Sequence, residues 1–263
     1  MKKTIFYFLY ILLFSSLVSC TPRESKEEFA NNDGLLLATL YMQQSAEYQA
    51  ICKQTYTIGK LKLDEHLKNY SGTKKLAVVV DIDETVLDNS PFSARSILEN
   101  TDYPKYWDEW CNKAEAKAIP GAVEFLNYAA EQGVETFYIS NRKVHLTEAT
   151  LKNLQNQDFP FADSAHLMLR TNTGNKELRR NKVRETHEIL LLFGDNLGDF
   201  NPAFDDKGTM ERRALVQQLK NKFGEEYMVL PNPTYGAWMS ALQVGLPKNI
   251  NVDSLYRAQL INF

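Results

Sequence analysis

The stretch Leu76–Ser90 reads LAVVVDIDETVLDNS. Five apolar residues, Leu76 to Val80, run straight into Asp81, Asp83 and Glu84. A short apolar run rich in β-branched residues is the pattern of a buried strand. Carboxylates crowded within a few ångströms repel one another and are costly to ionise without a positive partner. The stretch therefore predicts a strand that delivers acids to a place where a cation is held.

A second stretch repeats the arrangement. Ile189–Phe193 is strand-like and runs into Gly194-Asp195-Asn196-Leu197-Gly198-Asp199-Phe200. Taken singly, each cluster has a plain structural reading: a polar loop after a strand, or a turn with Asp195 or Asn196 as a helix cap. Two acid clusters in this order, both at strand ends, point to chemistry instead.

The segments around them alternate. Val134–Ile139 is strand-like and ends in Ser140-Asn141-Arg142, and His166–Leu169 and Tyr227–Leu230 are shorter apolar runs. Ala122–Gln132, Leu146–Gln155, Lys176–Glu185 and Met210–Phe223 have helical patterning, and Leu35 to about Leu67 predicts one or two further helices. Strands alternating with helices imply an α/β fold with a doubly wound parallel sheet. In such sheets ligands bind beyond the carboxyl ends of the strands. Asp81, Ser140 and Asp195 each follow a strand-like run, so the three clusters should converge on one crevice.

The chain has 263 residues, 44% of them hydrophobic and 24% charged, with a net charge of −3. No basic excess exists to grip a phosphate backbone, which argues against a nucleic-acid polymer as partner. Lys2 and Lys3 precede an uncharged run from Ile5 to Val18, shorter than the ~20 residues of a spanning helix. Leu17-Val18-Ser19-Cys20 follows and resembles a bacterial lipoprotein signal. On that reading residues 1–19 are a signal peptide, Cys20 is the lipidation site, and 20–34 is a polar tether. The expected location is the cell envelope, membrane-anchored through Cys20, on the outer membrane of a bacterium; the choice between inner and outer membrane stays open. Cys52 and Cys111 remain, and whether they pair is open too. The four histidines show no H-x-H or H-x3-H spacing and receive no role.

The residues also carry a family resemblance. VVVDIDETVLDNSP and LLLFGDNLGDF resemble the two signature stretches of class C acid phosphatases, a branch of the haloacid dehalogenase superfamily that includes bacterial outer-membrane lipoprotein 5′-nucleotidases. MQQSAEYQA (Met42–Ala50), PGAVEFLNYA (Pro120–Ala129), YISNRK (Tyr138–Lys143) and PNPTYGAW (Pro231–Trp238) are similar to further family segments, in family order. The resemblance implies an acid phosphatase domain over 35–263. Its catalytic core would span about 74–87 and 119–232, and a smaller helical part would come from about 35–70, 88–118 and the C-terminal tail.

It also implies roles. Asp81 is the nucleophile and a Mg²⁺ ligand, Asp83 the acid–base residue and a ligand through its backbone carbonyl, and Asp195 a ligand through its side chain, while Asp199 binds the metal directly or orients its waters. Ser140 and Asn141 contact the phosphoryl oxygens. A lysine near the nucleophile is required; Lys176 aligns best and Lys182 is the alternative. Thr173 stands where relatives often carry a further lysine. Trp107 and Tyr235 are the implied base sandwich, with Phe92 and Trp110 as additional substrate-facing aromatics, although core packing serves equally for those two. The implied reaction is Mg²⁺-dependent hydrolysis of a nucleoside 5′-monophosphate at acidic pH, by a chain whose relatives tend to form homodimers. Two rivals stay open: a broader phosphomonoesterase for sugar or aryl phosphates, and a non-enzymatic surface lipoprotein on a phosphatase scaffold.

Overall fold

The computed structural model describes residues 33–247 and 251–263. The expected signal peptide, Cys20 and all but the last two residues of the expected tether lie outside the described residues. In chain order the strands are β1 (Lys75–Val80), β2 (Leu87–Asp88), β3 (Lys117–Ala118), β4 (Val134–Lys143), β5 (Leu167–Arg170), β6 (His187–Gly194) and β7 (Tyr227–Val229). The helices are α1 (Asp33–Gln44), α2 (Ala46–Asn69), α3 (Ser90–Leu98), α4 (Trp107–Lys113), α5 (Ala122–Glu131), α6 (Thr147–Asn156), α7 (Glu177–Thr186), α8 (Thr209–Gln218), α9 (Ala237–Ala241) and α10 (Val252–Ala258).

Five strands form one parallel sheet in the order β5-β4-β1-β6-β7. From β1 the chain builds outward through β4 and β5, then returns to the other side for β6 and β7. The order reverses at β1, which places a ligand crevice at its carboxyl end. β1 is apolar on both faces because both faces are covered. Val78 and Val80 pack with Tyr56 and Leu63 of α2 and Phe125 and Leu126 of α5. Ala77 and Val79 face the other way, with Val183 of α7 and Phe200. A register shift against β6 lies between Ala77 and Val78, where Leu190 is the extra residue.

The expected helical region near 35–67 is two helices. Ser45 ends the first and caps the second: its hydroxyl donates to the Tyr41 carbonyl at 2.7 Å and accepts from the Tyr48 amide at 3.1 Å. On α2 the buried residues Tyr48, Cys52, Tyr56, Gly59 and Leu63 recur every three or four positions, which is one helix face. Gly59 is the contact point with the sheet; a Cβ there would stand 2.5 Å from the Phe193 ring.

Three elements differ from expectation. β4 continues past Ile139 through Ser140-Asn141-Arg142 to Lys143. α8 stops at Gln218, and residues Lys220–Lys222 form a separate 3₁₀ turn. The 88–118 insert holds α3 and α4 and is bracketed by the two-residue antiparallel pair of β2 and β3, too short to leave a pattern in sequence. Cys52 and Cys111 are both buried and unpaired. Burial pushes both thiols up, to about 11 and about 12, which makes them inert.

Candidate active site

Asp81 is the first residue beyond β1, and its amide donates to the Phe193 carbonyl at 3.0 Å. That bond sets the nucleophile loop beside the end of β6. The loop then turns tightly: the Val86 and Leu87 amides both reach the Ile82 carbonyl at 2.9 Å, and Glu84 takes the left-handed conformation at φ 57°. Beyond β6, Asn196 opens a 3₁₀ turn over Leu197–Asp199. The Asp199 carboxylate accepts the Asn196 amide at 3.0 Å and so folds back onto the strand end. Gly194 permits this approach, since a Cβ there would lie 2.5 Å from the Asp199 Cβ.

The result is a cluster. Asp81, Asp195 and Asp199 each offer a carboxylate oxygen within 4.8 Å of the others. Lys176, just before α7 and buried, places its ammonium against Asp81 and at 2.6 Å from an Asp199 oxygen. Lys182 is exposed on α7. Arg180, one turn after Lys176 and fully buried, donates to the Asp199 carbonyl and pairs with Glu177. Asn232 donates to Asp195 Oδ2 at 2.7 Å.

The charges do not balance among these residues. Burial pushes the Asp81 carboxyl up to about 7, against the pull of Lys176, and Asp199 and Asp83 add to the rise. Burial, then Asp199 and Asp81, hold Asp195 well above the carboxylate range. Burial works against the Lys176 ammonium, but Asp199 and Asp81 outweigh it and keep its pKa above the ordinary lysine value. One ammonium serves three convergent acids, so the site is short of positive charge. All donors are hard oxygens. A divalent cation fits both the donor set and the deficit.

Asp83 points elsewhere. Its Oδ1 accepts from Arg142 Nε at 2.9 Å and Asn89 Nδ2 at 2.8 Å, and its Oδ2 lies 3.3 Å from the Ser140 hydroxyl. Ser140 is buried near the end of β4. Asn141 is exposed beside it and accepts from Arg179 Nη2 at 2.7 Å. Arg179 also donates to the Ser140 carbonyl at 2.6 Å, which ties β4 to α7.

The aromatics split into two groups. Phe92 and Trp107 form an edge-to-face pair with centroids 5.1 Å apart. Trp110 packs against the core, and its indole N–H donates to Asn89 Oδ1 at 2.8 Å, a structural contact. Tyr235, 42% exposed, sends its hydroxyl to the Glu84 carboxyl. Sequence reasoning missed Glu84, Asn89 and Arg142. Glu84 is buried, accepts the Asn89 amide at 2.8 Å as well as Tyr235, and is held well above the carboxylate range by burial and then by Asp83 and Asp195. It stands in the quoted motif next to Asp83, but its burial, its left-handed backbone and its contact with Tyr235 appear only in the fold.

Acids at the ends of β1 and β6, a serine near the end of β4 and a buried lysine entering α7 thus meet beyond the carboxyl ends of the parallel strands, where folds of this kind hold ligands. Residues 21–238 match the family model of the HAD superfamily, subfamily IIIB (acid phosphatase). The chain belongs to this family and is an acid phosphatase, a phosphoric monoester hydrolase. The crystal structure of the class C acid phosphatase from Bacillus anthracis with tungstate bound is 43% identical to it, covers 89% of this chain and 99% of its own, and superposes with a TM-score of 0.85. The class B acid phosphatase of Morganella morganii is 27% identical over 216 residues, 75% of this chain and 85% of its own. Vegetative storage protein 2 of Arabidopsis thaliana is 26% identical over 173 residues, 60% of this chain and 62% of its own.

Proposed function

We propose that this acid phosphatase hydrolyses nucleoside 5′-monophosphates through a phosphoryl group carried on Asp81. The observation that carries the reading is Lys176, buried between the carboxylates of Asp81 and Asp199. It gives the Asp81 oxygen a fixed neighbour that also attracts the phosphoryl group. Asp81, Asp195 and Asp199, with the Asp83 backbone carbonyl, would hold Mg²⁺, which supplies neutralisation of the charge on the transferring group. The tungstate in the Bacillus anthracis relative is a tetrahedral oxyanion of phosphate's shape, in keeping with this site.

The chain's own residues then divide the work. An Asp81 oxygen attacks phosphorus, and the bond from phosphorus to the ester oxygen breaks. Lys176 and the Ser140 hydroxyl hold phosphoryl oxygens. Asp83 gives its proton to the departing ester oxygen, which leaves as an alcohol. Asp83 next takes a proton from water; the water oxygen attacks phosphorus, the bond to Asp81 breaks, and inorganic phosphate leaves.

The nucleotide part rests on aromatics anchored to the nucleophile loop. Tyr235 reaches Glu84, and Trp107 lies over the Arg142 guanidinium that pairs with Asp83. Aromatic faces stack on bases without strict base choice, each worth about 1–3 kcal/mol. An envelope location on a lipid at Cys20 suits such a substrate, since dephosphorylation turns a charged nucleotide into a neutral nucleoside.

The test is phosphate release by the purified protein from a nucleoside 5′-monophosphate and from phenyl phosphate, between about pH 5 and pH 7. Each is measured with Mg²⁺ and with EDTA. Release that needs the metal and has a kcat/KM at least about tenfold higher on the nucleotide, the worth of one stacked base, is expected. Equal kcat/KM for the two esters would remove the nucleotide assignment and leave a broad phosphomonoesterase.

A further inference from the structure

Arg142 is a buried cation outside the metal cluster, its side chain fully covered. Nothing in the site's metal or phosphate chemistry calls for it, and burying an arginine without a function for its charge is costly. All three of its side-chain nitrogens are engaged within one network. Nε and Nη2 both reach Asp83 Oδ1, at 2.9 and 2.8 Å. Nη2 is also 3.3 Å from Asn89 Oδ1, and Nη1 is 3.2 Å from Thr150 Oγ1 on α6. The guanidinium lies 5.5 Å from the Trp107 ring centroid, within cation–π range. Its own backbone amide donates to the Ser140 hydroxyl at 3.0 Å.

Two consequences follow from geometry. First, Oδ1 of Asp83 is occupied by Arg142 and Asn89, whereas Oδ2 has a single long contact, to Ser140. Oδ2 is thus the less engaged oxygen, and its one neighbour is the Ser140 hydroxyl proposed above to hold a phosphoryl oxygen. Second, the same guanidinium touches the helical insert through Trp107, so the carboxylate and the aromatic wall share one anchor.

We infer that Arg142 is a positioning residue for the proton transfer to the leaving group: it locks Asp83 Oδ1 and so aims Oδ2 at the ester oxygen. This rests on the acid–base role of Asp83 proposed above. A proton donor matters only when the leaving group is a poor one. An alkyl phosphate expels a strongly basic alkoxide and needs the proton; 2,4-dinitrophenyl phosphate expels a stable phenolate and does not. The value of kcat/KM reports steps up to departure of the leaving group, so later hydrolysis of the phosphoryl-enzyme does not blur it.

The experiment compares kcat/KM for glycerol phosphate and 2,4-dinitrophenyl phosphate in the full-length protein, Arg142→Gln, Arg142→Lys, Thr150→Val and Asp83→Asn, each checked for folding by circular dichroism. General acid catalysis contributes about 10²–10⁴-fold, so Asp83→Asn should lose that much on the alkyl ester and far less on the aryl ester. Arg142→Gln should lose about 10–100-fold on the alkyl ester with under about threefold on the aryl ester, because the acid is present but misaimed. Arg142→Lys keeps the charge without the fork and should fall between. Thr150→Val, which touches Arg142 but not Asp83, should show the same selectivity at a few-fold level, and it serves if Arg142→Gln does not fold. Equal losses on both esters, or none, in folded Arg142 and Thr150 variants would overturn the inference. If Asp83→Asn itself slows both esters equally, the acid–base reading of Asp83 fails and takes this inference with it; an unselective Arg142 beside a selective Asp83 overturns the inference alone.

Discussion

At the entrance to α7 a single ammonium, that of Lys176, faces Asp81 and Asp199 together. Replacing it with methionine leaves two buried carboxylates without their cation and removes a donor to the phosphoryl oxygens. Losing one such donor costs about 10²–10³ in rate. Lys176→Met is therefore expected to lower kcat by about that factor, measured as phosphate release at saturating metal; a change under tenfold would remove Lys176 from the reaction. The acids were legible at this scale because β1 and β6 each end on them. Arg142 was quoted within YISNRK, but its role was invisible: its partners Asp83 and Asn89 lie 59 and 53 residues away. Glu84 was hidden for the same reason, since its tyrosine partner is 151 residues distant.

The elements explain why the acids converge. β6 delivers Asp195, but only the turn after it brings Asp199 back, and Gly194 is the hinge of that return. A methyl group there would meet the Asp199 side chain at 2.5 Å. Gly194→Ala is expected to displace Asp199 and raise the Mg²⁺ concentration needed for half-maximal activity by about tenfold or more, in line with changes that misalign metal ligands. An unchanged metal titration would show that Asp199 is not a ligand. The strands were readable because parallel strands buried on both faces are continuous apolar runs. The β2–β3 pair was not, because two residues per strand leave no periodicity. β4 outran its apolar stretch because Ser140 and Arg142 are polar residues that are nonetheless buried, both in contact with Asp83.

Across the molecule, the end of the sheet opposite the site carries a second charge cluster. Glu135 at the start of β4 lies 2.8 Å from Lys75 of β1, 3.0 Å from His187 of β6 and 3.2 Å from His166 before β5. Sequence spacing gave these histidines no role because sheet register, not local spacing, brings them together. Burial alone would raise the Glu135 carboxyl, but hydrogen bonds from Lys75, His166 and His187 outweigh it and hold it down at about 2. A depressed carboxyl stabilises the fold above its unfolded pKa, and that contribution fades as pH falls from 4.5 toward about 2. Glu135→Gln should therefore melt a few degrees lower at pH 5 to 7, equivalent to roughly 1–3 kcal/mol, with the gap closing in strong acid. A gap that does not close would mean packing, not charge, holds the cluster. The central claim is that Asp81 carries the phosphoryl group, and the direct measurement is an acid quench during turnover followed by peptide mass spectrometry. A phosphoryl group on the peptide containing Asp81, absent from Asp81→Asn, is the predicted result; a phosphoryl group on another residue, or turnover retained by Asp81→Asn, would contradict it.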